Sequence, residues 1–377
     1  MDKSALFDKR IELLRAAAKH EKVDHVPILT MGQTWAISYA GTTAEEALSS
    51  PQREYEVYAK HLHDMPFDGA LFFGMNRPLR VYDSLGFSPA FISSDGVTLQ
   101  SRDLSVLAEK DIDAFIQDPM MCLKSAVYRR YPALQGDVDT AVTALAKAVQ
   151  ELQKFGAKNA GVNAYLRENV GVPFVIGGPV QPALEKYIFL RGFNDGFKDL
   201  RRRPEQVLEA LEAAYTLVDP ALGSGSDYPW RMSPVTTPTY LNRKNFEKFF
   251  WPTAKRGYEK VINNGETVFM FMEGNWEHVY DHLLEFPKGS IIAFIENGDF
   301  IKAKKDIGDK VALVGGMPVQ LMREGTVQQN IDHVRNIIDT CGMEGIMFAP
   351  TLGLLSPGDV NPENMRAICE FVQTYRP

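Results

Sequence analysis

An α/β fold, and within it a single (β/α)8 barrel running over residues 1–377, is what this sequence predicts. Three observations carry that expectation. Four short apolar runs follow one another in the second half: Thr267–Met272 (TVFMFM), Ser290–Ile295 (SIIAFI), Lys310–Val314 (KVALV) and Gly345–Ala349 (GIMFA). Continuous apolar runs of this length are what parallel strands buried on both faces look like. Stretches of helical spacing alternate with them, which reads as repeated βα units, half of a barrel or half of a doubly wound sheet. Further strand candidates are spread through the whole length, with no Pro-, Gly- or Ser-rich linker to divide the chain into two domains. Barrels of ~250 residues or more are usual as one domain.

Taken in order, Ser4–His20 has the pattern of a helix capped by Ser4, suited to covering the bottom of the barrel. Val26–Thr30 reads as the first strand, Ala44–His63 as a helix and Gly69–Phe73 as the second strand. Residues 77–133 mix short strand patterns with Pro and Gly, so a β-rich insertion is expected in the first half. A helix over 141–155, a strand at Pro173–Ile176 and helices over 180–190 and 204–218 follow. In the second half, helical spacing covers Trp276–Phe286, Phe300–Ile307, Thr326–Thr340 and Pro362–Tyr375. Ile331, Val334, Ile337 and Ile338 share one face there.

Composition narrows the function classes. A formal net charge of -7, with Arg201-Arg202-Arg203 as the only basic run, argues against a nucleic-acid or anionic-membrane partner. Those surfaces need concentrated positive charge. No apolar run approaches the ~20 residues of a bilayer span. Three widely spaced cysteines (Cys122, Cys341 and Cys369) and a polar start at Met1-Asp2-Lys3-Ser4 fit a cytoplasmic enzyme without disulfides. No GxGxxG or GxxxxGK[ST] follows any strand, so dinucleotide and P-loop chemistry lose their main support.

In a barrel of this kind, functional groups stand where strands end and βα loops begin. Those positions hold Glu273 after TVFMFM, Glu296 after SIIAFI, Met317 after VALVGG and Thr351 after GIMFAP. Neighbouring parallel strands lie ~4.8 Å apart, so Glu273 and Glu296 are candidates to share a proton or hold one metal. Asp227 is a candidate third carboxylate. Either Glu is equally suited to capping a helix or pairing with an Arg. Met31 and Trp35 after the first strand, and Tyr228 and Trp230 after a Gly-Ser-Gly-Ser turn, join Met317 as candidates to line an apolar substrate pocket. Trp and Met also serve as core fillers. His278 and His282 stand i, i+4 on the stretch after Glu273, in the order EHxxxH and not that of a zincin helix.

Several local motifs, in their order and spacing, resemble the uroporphyrinogen decarboxylase superfamily, which includes the cobalamin-linked methyltransferases. They are Gly177-Gly178-Pro179, Leu190-Arg191-Gly192-Phe193 leading through Asp195 to Pro204, and Asn245-Phe246-Glu247-Lys248-Phe249 with Pro252. Gly315-Gly316-Met317-Pro318 and Leu355-Ser356-Pro357-Gly358 before Pro362-Glu363-Asn364 continue the series. The resemblance spans nearly the whole chain and implies a TIM barrel.

Two departures shape what the resemblance implies. The decarboxylase branch grips substrate carboxylates with an N-terminal arginine loop, whereas this loop is Met31-Gly32-Gln33-Thr34-Trp35. The thiol-methylating branch binds zinc through His-x-Cys at a strand end and a later Cys. Here Phe271 stands for the His, Glu273 for the Cys, and Leu352 at the later position. Carboxylates leave a divalent metal a harder acid, better matched to oxygen than to sulfur. The resemblance therefore implies a methyltransferase of the O-demethylase type, acting on a small methylated aromatic. Its methyl acceptor is the cobalt of a corrinoid supplied by a partner protein. Zinc held by Glu273, Glu296 and Asp227, or a protonated Glu273, would stabilise the departing phenolate. The alternatives are a decarboxylase of a smaller carboxylate and a degenerate barrel that binds without turnover.

Overall fold

The computed structural model describes residues 2–102, 105–217 and 228–377. Its centre is a ring of eight parallel strands. A six-stranded sheet runs β10-β9-β8-β7-β6-β5, and β1 pairs with β2. Parallel bridges Ile28↔Phe348 and Ala70↔Phe174 join the pair to both edges of the sheet and close the barrel. The strands are β1 Leu29–Thr30, β2 Gly69–Ala70, β5 Ile176–Gly177, β6 Trp230–Val235, β7 Thr267–Met272, β8 Ile291–Ile295, β9 Ala312–Met317 and β10 Ile346–Pro350. Closure leaves no open edge, as a parallel sheet covered by helices requires.

The principal helices are α1 Lys3–Ala18, α2 Pro51–Asp64, α3 Val138–Asn169, α4 Ala183–Arg191, α5 Pro204–Thr216, α6 Trp251–Asn263, α7 Phe300–Ile307, α8 Val327–Cys341 and α9 Pro362–Thr374. Their caps are legible. Ser50 accepts from the Arg53 N–H before Pro51, and Thr326 and Gln329 form a capping box on α8. Helix α1 closes the bottom of the barrel, with Leu14, Ala17 and Ala18 in the interior apolar cluster. Its start is Asp2 with no side-chain cap, not a cap by Ser4.

Period two decides which way each strand residue points. On β7, Phe269 and Phe271 face the barrel interior while Val268, Met270 and Met272 pack against the helices. On β8, Ile292 and Phe294 face inward and Ile291, Ala293 and Ile295 outward. Phe271 and Phe294 stack across the strands, centroids 4.5 Å apart and planes within 5°.

Three expectations change. The insertion after β2 is mainly helical. One antiparallel hairpin, β3 Ala90–Ile92 with β4 Leu99–Ser101, is its only sheet among the described residues, and helices 79–84, 112–117, 119–130 and α3 fill the rest. The stretch after the Gly-Ser-Gly-Ser turn, expected only to supply pocket-lining residues, forms the barrel strand Trp230–Val235. The Ala44–His63 helix is two, Ala44–Ala47 and α2, broken before Pro51. Proline fixes its own φ and disfavours helix at the residue before it.

Candidate active site at the carboxyl ends of β6, β7 and β8

The strand register places the site. Val235 pairs with Met272, and Met272 with Ile295. The next residue on each strand is Thr236, Glu273 and Glu296, so a hydroxyl and two carboxyls stand in one row at the barrel mouth. Two residues back on β7 and β8 lie Phe271 and Phe294, so the stacked rings floor the mouth beneath both carboxyls. Phe72 meets Phe271 edge-on at 5.8 Å.

Each carboxyl is held on one side. The Thr236 hydroxyl donates to Glu273 Oε2. The backbone N–H of Gly274 donates to Glu296 Oε2 at 2.5 Å. Gly274 has φ +79°, and a Cβ there would lie 2.3 Å from Thr239 Oγ1, so only glycine fits the turn that aims this N–H. Both glutamates are half-buried. Burial pushes the Glu296 carboxyl above its ordinary value. The Gly274 N–H opposes that shift, and the negative charge of Glu273 adds to it.

A third carboxyl stands behind the row. Glu185 on α4 is fully buried, and its Oε1 accepts from the Thr236 N–H at 2.9 Å, the Thr237 N–H at 2.7 Å and the Thr237 hydroxyl at 2.7 Å. Its Oε2 is buried with no partner. Burial first, with the charge of Glu273 adding to it and those donors opposing it, raises this carboxyl to about 7. Glu185 thus fixes the turn from which Thr236 reaches Glu273. No feature of the segment ALEKYIFLR marks this glutamate in the sequence. Thr236 is signalled only by period two along a strand the sequence does not disclose. Gln33, next in the inward series after Leu29 and Met31, lies against Gly353 at the mouth.

The structure brings Glu273 and Glu296 together and distributes the other candidates elsewhere. Met31 stands at the end of β1, buried on the inner wall. Trp35 lies in the outer apolar layer, edge-on to His61 at 5.7 Å. Tyr228, just ahead of β6, meets Phe174 edge-on at 6.0 Å. Trp230 stacks on Phe269 at the amino end of β6, the barrel's bottom. Met317 continues the outward series of β9 with Val311 and Leu313. Asp227 lies outside the described residues.

A zinc site draws on three or four protein donors. Among the described residues, no group of three or more His, Cys, Asp or Glu is arranged to hold a metal. Glu273 and Glu296 each already have one oxygen engaged, so the described donor set does not fit a closed zinc site. His278 and His282 do not supply the lack. Their segment, Glu277–Glu285, is a 3-10 helix, in which i and i+4 point ~120° apart. His278 meets the Leu241 carbonyl at 2.8 Å, and His282 is buried between Phe246 and Trp251. Cys122 and Cys369 are buried in the apolar layer outside the barrel. No helix among the described residues is long and apolar enough to cross a membrane.

Comparison with known proteins agrees with this architecture. Among solved structures, a methyltransferase from Methanosarcina mazei superposes with a TM-score of 0.60 at 15% identity, covering 97% of each chain. Identity that low speaks for the fold alone. A comparison with curated protein sequences finds no match. The family model described as uroporphyrinogen decarboxylase (URO-D) matches residues 9–375, and the chain belongs to that family.

Proposed function

We propose that this chain is a methyltransferase that removes the methyl group of a small aryl methyl ether and passes it to the cobalt of a corrinoid carried by a separate protein. The observation that carries the reading is the pairing of two unequal carboxyls over an aromatic floor. Phe271 and Phe294, with Phe72 at the edge, form an apolar base suited to an aromatic ring. Glu296, with its raised proton affinity, stands in reach of an ether oxygen held above that base. Membership of the family described as uroporphyrinogen decarboxylase (URO-D) and the shared barrel are compatible with this reading.

The corrinoid, when docked, supplies the nucleophile that accepts the methyl group. Exposed apolar side chains on two loops at the mouth, Tyr240 after β6 and Leu352 after β10, suit a rim on which a corrinoid-bearing partner rests. As the methyl carbon–oxygen bond breaks, its electron pair stays on the aryl oxygen. Protonated Glu296 donates to that oxygen, so a neutral phenol leaves in place of a phenolate. Burial, with the nearby Glu273 carboxylate adding to it, raises the proton affinity of Glu296, and Thr236 holds Glu273 in that position. In this reading the proton of Glu296 carries the stabilisation of the leaving group.

The test mixes the protein with a reduced corrinoid protein and a panel of methoxyarenes. Both corrinoid absorbance and phenol release are followed. Absence of change with every donor overturns the reading, and release of carbon dioxide from aromatic acids establishes a decarboxylase instead.

A further inference from the structure

Pro252 shapes the chain that leads into α6. A proline has no N–H for the carbonyl four residues back, here that of Lys248, and its ring crowds that carbonyl. One wider turn accommodates it. Phe246–Phe250 is a π-helix, closed by the Trp251 N–H on the Phe246 carbonyl five residues back. Single π turns of this kind recur at functional sites. This one buries Phe246 and Phe250, stacked with centroids 5.2 Å apart. Both rings meet Trp276 edge-on, at 6.2 and 5.8 Å. Trp276 is seated there with 1% of its surface exposed.

Burial alone would be served by a phenylalanine; the indole N–H does something more. It donates to the Glu273 carbonyl at 3.1 Å. That carbonyl and the Gly274 N–H belong to one peptide unit, and the N–H donates to Glu296 Oε2 at 2.5 Å. A trans peptide is planar, so its C=O and N–H point opposite ways and turn together. Fixing the carbonyl therefore aims the N–H. The restraint has work to do, because glycine at φ +79° leaves this plane a freedom that a side chain would remove. We propose that Trp276 is a positioning residue for Glu296, its indole N–H fixing the Glu273–Gly274 peptide from the side opposite the carboxyl. The π turn before α6 is the seat that holds the indole in place. The same peptide follows directly on the Glu273 side chain, which Thr236 holds from β6, so both carboxyls are set by one turn. The catalytic consequence rests on the acid role of Glu296 proposed above; the pinned peptide does not.

Two variants of the full chain remove the N–H. Trp276→Phe keeps an aromatic ring in the seat. Trp276→benzothienylalanine keeps the whole outline of the side chain, with sulfur in place of the N–H, and so guards against a variant that fails to fold. In both, amide exchange at Gly274, read by mass spectrometry, is expected to accelerate at least about tenfold, while exchange along β9 stays as in the parent. With a methoxyarene that the parent turns over, kcat should fall at least about tenfold and KM change less than about threefold. Gly274 exchange that is unchanged in the isosteric variant, or that rises equally along β9, overturns the proposal. An unchanged kcat in both variants overturns it as well. If the parent turns over no methoxyarene, the acid role of Glu296 falls, and Gly274 exchange alone decides whether Trp276 aims this peptide.

Discussion

Glu185 accepts the hydroxyl of Thr237 at 2.7 Å inside a site sealed from solvent, while its other oxygen has no partner at all. A carboxyl so placed keeps its proton at a pH where exposed glutamates have lost theirs. Burial raises its folded value to about 7, against an ordinary value of 4.5. Between those values the folded protein binds more protons than the unfolded chain. Its stabilising contribution is therefore complete below the ordinary value and is lost as pH rises through about 7. The difference corresponds to about 3 kcal/mol at 1.36 kcal/mol per pH unit. Glu185→Gln keeps the accepting oxygen and cannot ionise. Urea titrations at pH 5 and pH 8 should show the parent losing stability by that order and Glu185→Gln losing much less. An equal loss in both proteins would assign the pH dependence to another group.

Glu296 offers a sharper test of chemistry. If its proton goes to the leaving oxygen, Glu296→Gln lowers kcat by roughly 10²- to 10⁴-fold, the usual worth of a general acid. Substrate affinity should change little. The deficit should shrink with nitrophenyl methyl ethers, whose phenolates leave without help. Activity of the parent should fall as pH rises through a value above the ordinary carboxylate range, the direction in which burial moves this group. A deficit independent of the leaving group's basicity would remove Glu296 from the proton-transfer role.

The contrast between these two glutamates shows what the sequence could and could not disclose. Strands β7 to β10 were legible because runs such as TVFMFM and SIIAFI are apolar on both faces, and their ends pointed directly to Glu273 and Glu296. Strand β6 was hidden because Arg231 and Pro234 interrupt WRMSPV, and with it went Thr236. The candidates left the site for different reasons: Trp230 faces inward but at the amino end of β6, and others face away from the interior. Met317 occupies the right stretch of β9 but faces the helices, where a one-residue difference in phase decides inside from outside, and Trp35 stands on the short helix Trp35–Tyr39 that turns it into the outer layer. Glu185 lies on a helix whose glutamate looks like any surface position, and only the approach of α4 to the β6 turn gives it meaning. The insertion misled because its Pro and Gly residues bound helices as readily as strands. Pro119 opens the 119–130 helix, and Gly86 ends the one before the hairpin.

The aromatic floor has its own measurable consequence. Phe271→Leu keeps most of the buried volume while removing the ring that stacks on Phe294 at 4.5 Å. Loss of a stacked pair costs about 0.5–1.5 kcal/mol beyond burial. The melting temperature should therefore drop modestly. Affinity for a methoxyarene should fall more than affinity for an aliphatic methyl ether of similar size, as read by calorimetry on both. Equal losses for the two ligands would mean that the ring supports the barrel without contacting substrate.

Gly274 couples backbone conformation to the acid itself. Its φ of +79° lies where an L side chain is strained, and a Cβ would press on the Thr239 side chain at 2.3 to 2.9 Å. Gly274→Ala is expected to cost about 1–3 kcal/mol of stability from backbone strain. Because the same N–H restrains Glu296 Oε2, the turn cannot shift without releasing that carboxyl. The Gly274 N–H is the one group holding the Glu296 proton affinity down, so its loss should raise that affinity further. The activity profile of Gly274→Ala should then move to higher pH as its maximum falls, while Thr239→Ala, which clears the space but leaves the positive φ, should restore both only in part in the double variant. A profile that stays fixed while activity drops would show that the turn shapes the mouth without governing the proton on Glu296.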